Sequence, residues 1–269
     1  MTHVEIVSVG DELLRGIVQE TNAHWIAKRL AARGAALSRV VLVPDDVEVV
    51  AAELRQVLAR EPVMVFTHGG LGPTDDDRTR EALAAATGRA LELHAEAEAI
   101  VRRRYTELAA AGTVAEAAMN EARLRMARLP HGAGALDNQI GAAPGIVIPH
   151  GSTTIVALPG VPPELVWIWE NPLAPILHEL LGPGGFGEVT LTLEMLDESS
   201  IVELLRTVQG EHPGVYVKSR AKGFGSDDHV RVTLAARGKS TGGAVAMVAR
   251  AEADLRTALR AEGIAVLDT

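Results

Sequence analysis

The chain contains no cysteine among its 269 residues, which excludes a disulfide framework, a thiolate metal site and a cysteine nucleophile. Any metal must be held by Asp, Glu, His or backbone oxygens. No charged leader followed by an apolar core opens the chain, and no apolar run approaches the roughly 18–20 residues of a membrane span, so a cytoplasmic location is expected. Low-complexity tracts are missing too. Positive charge is scarce: 26 Lys and Arg against 35 Asp and Glu leave a formal net charge of −9. That balance works against nucleic acid, whose non-specific affinity comes mostly from cations neutralising phosphates. Neither a nucleic-acid nor a membrane partner is expected. An anionic ligand would have to be met locally, by backbone N–H groups at helix starts or by a bound cation.

What is there is apolar enough for a core: 47% of residues are hydrophobic and 23% charged, which argues against disorder. The length fits one α/β domain of about 150–200 residues followed by a smaller one. Gly182-Pro183-Gly184-Gly185 places four breakers in a row, so the expected domains are 1–181 and 186–269.

In the first domain strand and helix alternate. Residues 4–9 are short and rich in β-branched side chains and end at Gly10. Ala23, Ile26, Ala27 and Leu30 then fall at i, i+3, i+4 and i+7, with Thr21 or Asn22 as N-cap and Gly34 past the end. Residues 37–43 predict a strand. Asp45 stands three residues before Glu48, the spacing of a capping box, and Val47, Val50, Leu54 and Leu58 line one face of the next helix. Val63-Met64-Val65-Phe66 suits a central parallel strand buried on both faces. Residues 81–87 read as helix with Gly88 as its stop, and residues 95–128 as one or two helices. Residues 145–148 and 153–157 form a hairpin across His150-Gly151-Ser152, and Pro162 and Pro163 open a helix to about Trp169, with 173–181 helical again. This alternation predicts a mostly parallel sheet with helices on both faces, and ligands outside the carboxyl ends of the strands. The second domain reads strand 189–195, helix 200–209, strands 214–218 and 228–235, helix 243–261 and strand 264–267. That is the βαββαβ order of a split, ferredoxin-like unit, though a KH-like α+β sheet would also suit.

The chemistry concentrates where the central strand runs into Thr67-His68-Gly69-Gly70-Leu71-Gly72-Pro73-Thr74-Asp75-Asp76-Asp77-Arg78-Thr79. Glycines let the backbone approach a phosphate and aim several N–H groups at it, while the following helix adds its positive end; a tight βα turn would use the same residues. Asp75, Asp76 and Asp77 would repel a bare phosphate. A divalent cation (Mg²⁺, Mn²⁺ or Co²⁺) resolves the conflict, because hard cations take carboxylate and phosphate oxygens together. The alternative is that Asp76 or Asp77 caps the helix beginning near Arg78. Asp45 has the same two readings, cap or site.

The pattern Gly69-Gly70-Leu71-Gly72-Pro73-Thr74-x-Asp76-Asp77-x-Thr79 resembles the signature of the competence/damage-inducible protein A (CinA) family within the wider MoaB/Mog group of molybdopterin-binding domains. Four further stretches agree in order: Val9-Gly10-Asp11-Glu12-Leu13-Leu14 with Gly16 and Thr21-Asn22; Val43-Pro44-Asp45-Asp46; Asn138 with Gly141 and Ala143-Pro144-Gly145; and Leu158-Pro159-Gly160-Val161-Pro162. The resemblance spans roughly residues 4–180 and implies a three-layer αβα domain. It implies a ligand site built from Gly69, Gly70, Leu71, Gly72, Thr74 and Thr79, with Pro159 and Gly160 of the second turn and with Gly10, Glu12 and Asn22 along its edge. Asp45, Asp76 and Asp77 are implied as catalytic, metal-positioning residues. His68 stands where relatives commonly have a small hydroxyl residue, and either donates to a phosphate or fills space.

The family resemblance implies a metal-dependent pyrophosphatase acting on ADP-ribose-like dinucleotides, in which the cation polarises a phosphoryl oxygen and activates water. Molybdopterin binding or nucleotidyl transfer in molybdenum cofactor biosynthesis uses the same loops, and a nucleotide sensor needs only the phosphate loop. Dimers or trimers are implied as well. Relatives that deamidate nicotinamide mononucleotide carry a further carboxyl-terminal domain beyond the stretches matched here, so deamidase activity is not expected. Asp11 and Glu12 either complete a metal site or form a solvated loop, and Arg102-Arg103-Arg104 is a solvated helix face or reaches an anionic ligand. Lys218, Arg220 and Lys222 before Gly223-Phe224-Gly225 form a basic loop that matches a KH-type clamp poorly.

Overall fold

The structure is a computed structural model and describes residues 3–221 and 229–267. The chain divides into two compact units, residues 1–29 with 36–180 and residues 30–35 with 181–269. Among the described residues no helix is long and apolar enough to cross a membrane.

In the first unit β1 (His3–Val9) leads through a single helical turn, α1 (Asp11–Leu14), to α2 (Asn22–Ala32), β2 (Ala36–Val43), α3 (Val47–Leu58), β3 (Met64–His68) and α4 (Thr79–Thr87). Next come β4 (Leu91–Leu93), α5 (Ala95–Ala110), α6 (Glu121–Met126), β5 (Arg128–Pro130), β6 (Gly134–Leu136) and the hairpin β7 (Gly145–His150) and β8 (Thr153–Leu158). The unit closes with α7 (Pro162–Glu170) and α8 (Ala174–Leu181). The sheet runs β2-β1-β3-β8-β7-β6, its first three pairings parallel and its last two antiparallel. All five residues of β3 are buried, as a strand covered on both faces requires. One face carries Val7, Val65 and Ile155 against Val50 and Leu54 of α3, Leu83 of α4 and Val101 of α5. On the other, Phe66 packs on Trp169 of α7 with ring centroids 5.1 Å apart, and Trp169 meets Trp25 of α2 edge to face at 5.6 Å. Three layers, αβα, result.

Several details depart from the pattern reading. The cap of α3 is Asp46, whose carboxylate accepts from the Glu48 and Val49 N–H groups at 2.9 and 3.0 Å. Asp45 is thus one residue too early to form the capping box. The residue before α4 is Arg78, with no side-chain cap, so neither Asp76 nor Asp77 caps that helix. The short elements α1, β4, β5 and β6 have too few residues to show a period.

The second unit comprises β9 (Gly185–Glu194), a 3₁₀ turn (Glu198–Ile201), α9 (Val202–Glu211), β10 (Val215–Ala221), β11 (His229–Gly238), α10 (Thr241–Ala261) and β12 (Val266–Leu267). Its sheet is antiparallel throughout in the order β10-β11-β9-β12. This is the ferredoxin-like arrangement, and the KH-like alternative falls away. Gly185, read as linker, already belongs to β9. Ala244, Val248, Ala251, Leu255 and Leu259 form the buried stripe of α10 over Leu191, Leu193, Val230, Val232 and Leu234 of the sheet. Lys222, Gly223, Phe224 and Gly225 of the basic loop lie outside the described residues.

Candidate functional site

The loop between β3 and α4 lies beyond the carboxyl end of the central strand. Gly69 and Gly70 hold φ values of 95° and 65°, in the left-handed region, and a Cβ at Gly69 would strike the Val9 carbonyl while one at Gly70 would strike the Thr79 hydroxyl. Four consecutive carbonyls of the loop are taken from within the protein. The Thr79 hydroxyl donates to Gly69 O at 2.8 Å and the Thr79 N–H to Gly70 O at 3.1 Å. The Arg80 guanidinium donates to Leu71 O at 2.6 Å and Gly72 O at 2.8 Å, and also reaches Asp77 O at 3.3 Å. The Gly69 N–H donates to Leu158 O. The N–H groups of Gly70, Leu71 and Gly72 have no partner among the described residues. Three successive free amides ahead of an uncapped helix start offer donors of the kind that suit an anion. Arg80 is 2% exposed, and burial pushes its pKa down to about 10, which leaves it charged at neutral pH.

The acidic run divides its labour. Asp77 accepts from the Thr74 N–H at 2.9 Å and from the Thr74 hydroxyl, and its carboxylate fills the space where a side chain on Gly72 would stand. Asp75 pairs with Arg125 at 2.8 Å, while the Arg125 guanidinium also donates to Thr74 O. Asp76 is exposed. Asp45 accepts from the Asp11 N–H at 2.8 Å, which fixes the turn after β2 against the turn after β1. Burial raises the Asp45 pKa, and the nearby carboxylates of Glu12, Asp11 and Asp76 raise it further. Asp11 itself pairs with Arg15, and the Glu12 carboxylate occupies the space a Cβ on Gly10 would need.

These carboxylates gather negative charge beside a nest of N–H donors, and their chemistry suits a hard divalent cation. Among the described residues Asp45, Asp76 and Asp77 do not close into a group with ligand atoms within 4.8 Å. Among the described residues these three carboxylates therefore build no complete cage by themselves.

The second turn backs the loop. Asn22, 8% exposed, donates from Nδ2 to Gly160 O at 2.7 Å, and a Cβ on Gly160 would come to 3.3 Å from the Gly69 backbone. Pro159 is buried beside it. Pro162 and Pro163 occupy the first turn of α7, so this helix start offers fewer N–H donors than α4 does. His68 is no phosphate ligand here: its Nε2 lies 2.9 Å from Ser8 Oγ and 3.3 Å from Glu20 Oε1, and Glu20 in turn accepts from the Ala23 N–H at 2.8 Å. Burial pushes its pKa down to about 4, so the ring is neutral at pH 7. Asn138 donates to Ala143 O and to Glu164, whose carboxyl is held above its usual range by burial, and accepts from Ile140 and Gly141 N–H groups. Arg104 donates to the carbonyls of Ile140 and Gly141 and Arg103 pairs with Asp137, so two of the three arginines read as a solvated face clamp this loop.

Residues 5–179 match the family described as a probable molybdopterin binding domain. The chain belongs to this family. A protein of Aeropyrum pernix is 41% identical over 218 residues, which cover 81% of this chain and 78% of that one. One of Thermococcus kodakarensis is 38% identical over 221 residues, covering 82% and 86%. The crystal structure of a protein described as CinA with unknown function, from Thermoplasma acidophilum, matches with a TM-score of 0.57 at 30% identity, covering 66% of this chain and 98% of that one. The molybdopterin binding domain is thus CinA-like, as the motifs implied. Within it, sequence reasoning missed Arg80, because a charged residue in a helix's first turn reads as solvated. It also missed Ser8 and Glu20, which lie far from His68 in sequence.

Proposed function

We propose that the 69–79 loop binds the phosphate of a nucleotide or of molybdopterin, and that the chain is a divalent-metal-dependent pyrophosphatase acting on ADP-ribose-like dinucleotides. The observation that carries this reading is the run of three amides, Gly70 to Gly72, with no acceptor among the described residues, on a loop whose four successive carbonyls are held by Thr79 and Arg80. Those amides would hold a phosphate and offset charge developing on the leaving group. Asp45 and Asp76 would hold the cation, which when bound supplies Lewis-acid polarisation of a phosphoryl oxygen and a more acidic water. Asp77 keeps Thr74 and the loop in shape from behind.

Incubation with ADP-ribose, FAD and NAD in Mg²⁺, Mn²⁺ or Co²⁺, followed by AMP release, tests the reading. Release that requires metal and disappears in Asp45→Asn and Asp77→Asn is expected. A fully active Asp45→Asn would overturn the metal role. The family description favours a second reading, molybdopterin binding; no AMP release from any dinucleotide, with the pterin still bound, would move the chain to it.

A further inference from the structure

A second cluster of ligating side chains lies in the other unit, apart from the phosphate loop. Between α9 and α10 runs a groove of about 520 Å³. Four carboxylates line it, those of Glu203, Glu211, Asp254 and Glu262, and no Lys or Arg is among its lining residues. At one side the donor atoms of Glu211, His212 and Asp254 all lie within 4.8 Å of one another. His212 Nε2 is 2.8 Å from Asp254 Oδ2, and its ring is largely sheltered at 18% exposure, while Asp254 is 58% exposed. Glu211 is the last residue of α9 and His212 caps its end, so the negative pole of that helix adds to the attraction for a cation.

We infer that Glu211, His212 and Asp254 form a binding site for a divalent transition metal ion, which ties the end of α9 to the middle of α10. One imidazole nitrogen with two carboxylate oxygens suits Zn²⁺, Ni²⁺ or Co²⁺ over Mg²⁺, which prefers oxygen alone. Ligand atoms around a tetrahedral ion stand about 3.3 Å apart. The His212–Asp254 pair has only to open by a few tenths of an ångström, and the exposed Glu211 has room to swing in. Water completes the coordination.

The experiment uses the full chain, stripped with chelator and titrated calorimetrically with Ni²⁺ or Zn²⁺ without nucleotide. Because the chain has 9 histidines, variants decide the assignment. One equivalent is expected whose affinity falls at least tenfold in His212→Ala and again in the milder Asp254→Asn, persists in Asp45→Asn, and resists a large excess of Mg²⁺. Circular dichroism checks that each variant is folded. Unchanged affinity in both groove variants, loss in Asp45→Asn instead, or displacement by Mg²⁺ would each overturn the assignment. AMP release plays no part in this readout, so the site stands or falls independently of the pyrophosphatase reading.

Discussion

Arg80 points back over its own helix start and donates to the carbonyl of Leu71 at 2.6 Å, from a position almost sealed from water. The same guanidinium serves Gly72 and Asp77, so it replaces three solvent contacts that the loop carbonyls would otherwise need. Removing it in Arg80→Met should cost about 2–4 kcal/mol, since buried acceptors would lose charge-assisted donors. Urea unfolding of the variant should show a lower midpoint at unchanged slope. Arg80→Lys should rescue little, because an ammonium cannot fork across neighbouring carbonyls.

Two glycines separate backbone strain from steric collision. Gly88 caps α4 at φ 66° with open space where a methyl group would stand, whereas Gly70, at φ 65°, would drive its methyl into the Thr79 hydroxyl. Gly88→Ala should cost about 1 kcal/mol. Gly70→Ala should cost clearly more, about 2–4 kcal/mol, and should also abolish nucleotide binding, as equilibrium dialysis with labelled ADP-ribose would reveal.

His68 carries a pH prediction with a definite sign. In the unfolded chain its ring titrates near 6.5, in the folded chain at about 4. Between those values only the unfolded chain takes up the proton, so the contribution is complete above about pH 6.5 and drains away as pH falls towards 4. The loss amounts to at most about 3 kcal/mol. Denaturant midpoints measured from pH 7 to pH 4 should fall less steeply in His68→Gln, and an identical slope would refute the assignment.

Asp45→Asn retains an oxygen to accept the Asp11 N–H while deleting a charge that burial and three nearby carboxylates disfavour. Without metal, its thermal midpoint should equal or exceed that of the parent. Turnover of ADP-ribose should vanish. A drop in both would mean that Asp45 holds the turn together through its charge.

Long periodic elements were legible in the sequence. The apolar run of β3, the i, i+3, i+4, i+7 positions of α2 and the glycine loop all stand where the pattern puts them, because burial on a sheet or a helix face imposes its own spacing. Position within a turn was harder. Asp45 and Asp46 are chemically identical candidates, and only the path of the backbone decides which one meets the first amides of α3. Contacts between distant residues were not legible at all. Arg80 to Leu71, His68 to Ser8 and His212 to Asp254 depend on how elements pack, and no local spacing encodes them.

With every carbonyl from Gly69 to Gly72 already engaged, that stretch of backbone offers its free N–H groups as donors, while the carboxylates of Asp45 and Asp76 stand in the same region. The amides sort visitors by polarity without ionising themselves. An oxyanion finds donors already in place and loses little ordering entropy in using them, and the neighbouring carboxylates favour one that arrives with a cation. Amides do not ionise in the physiological range, so their share of recognition is independent of pH, and any pH dependence of binding there belongs to the carboxylates.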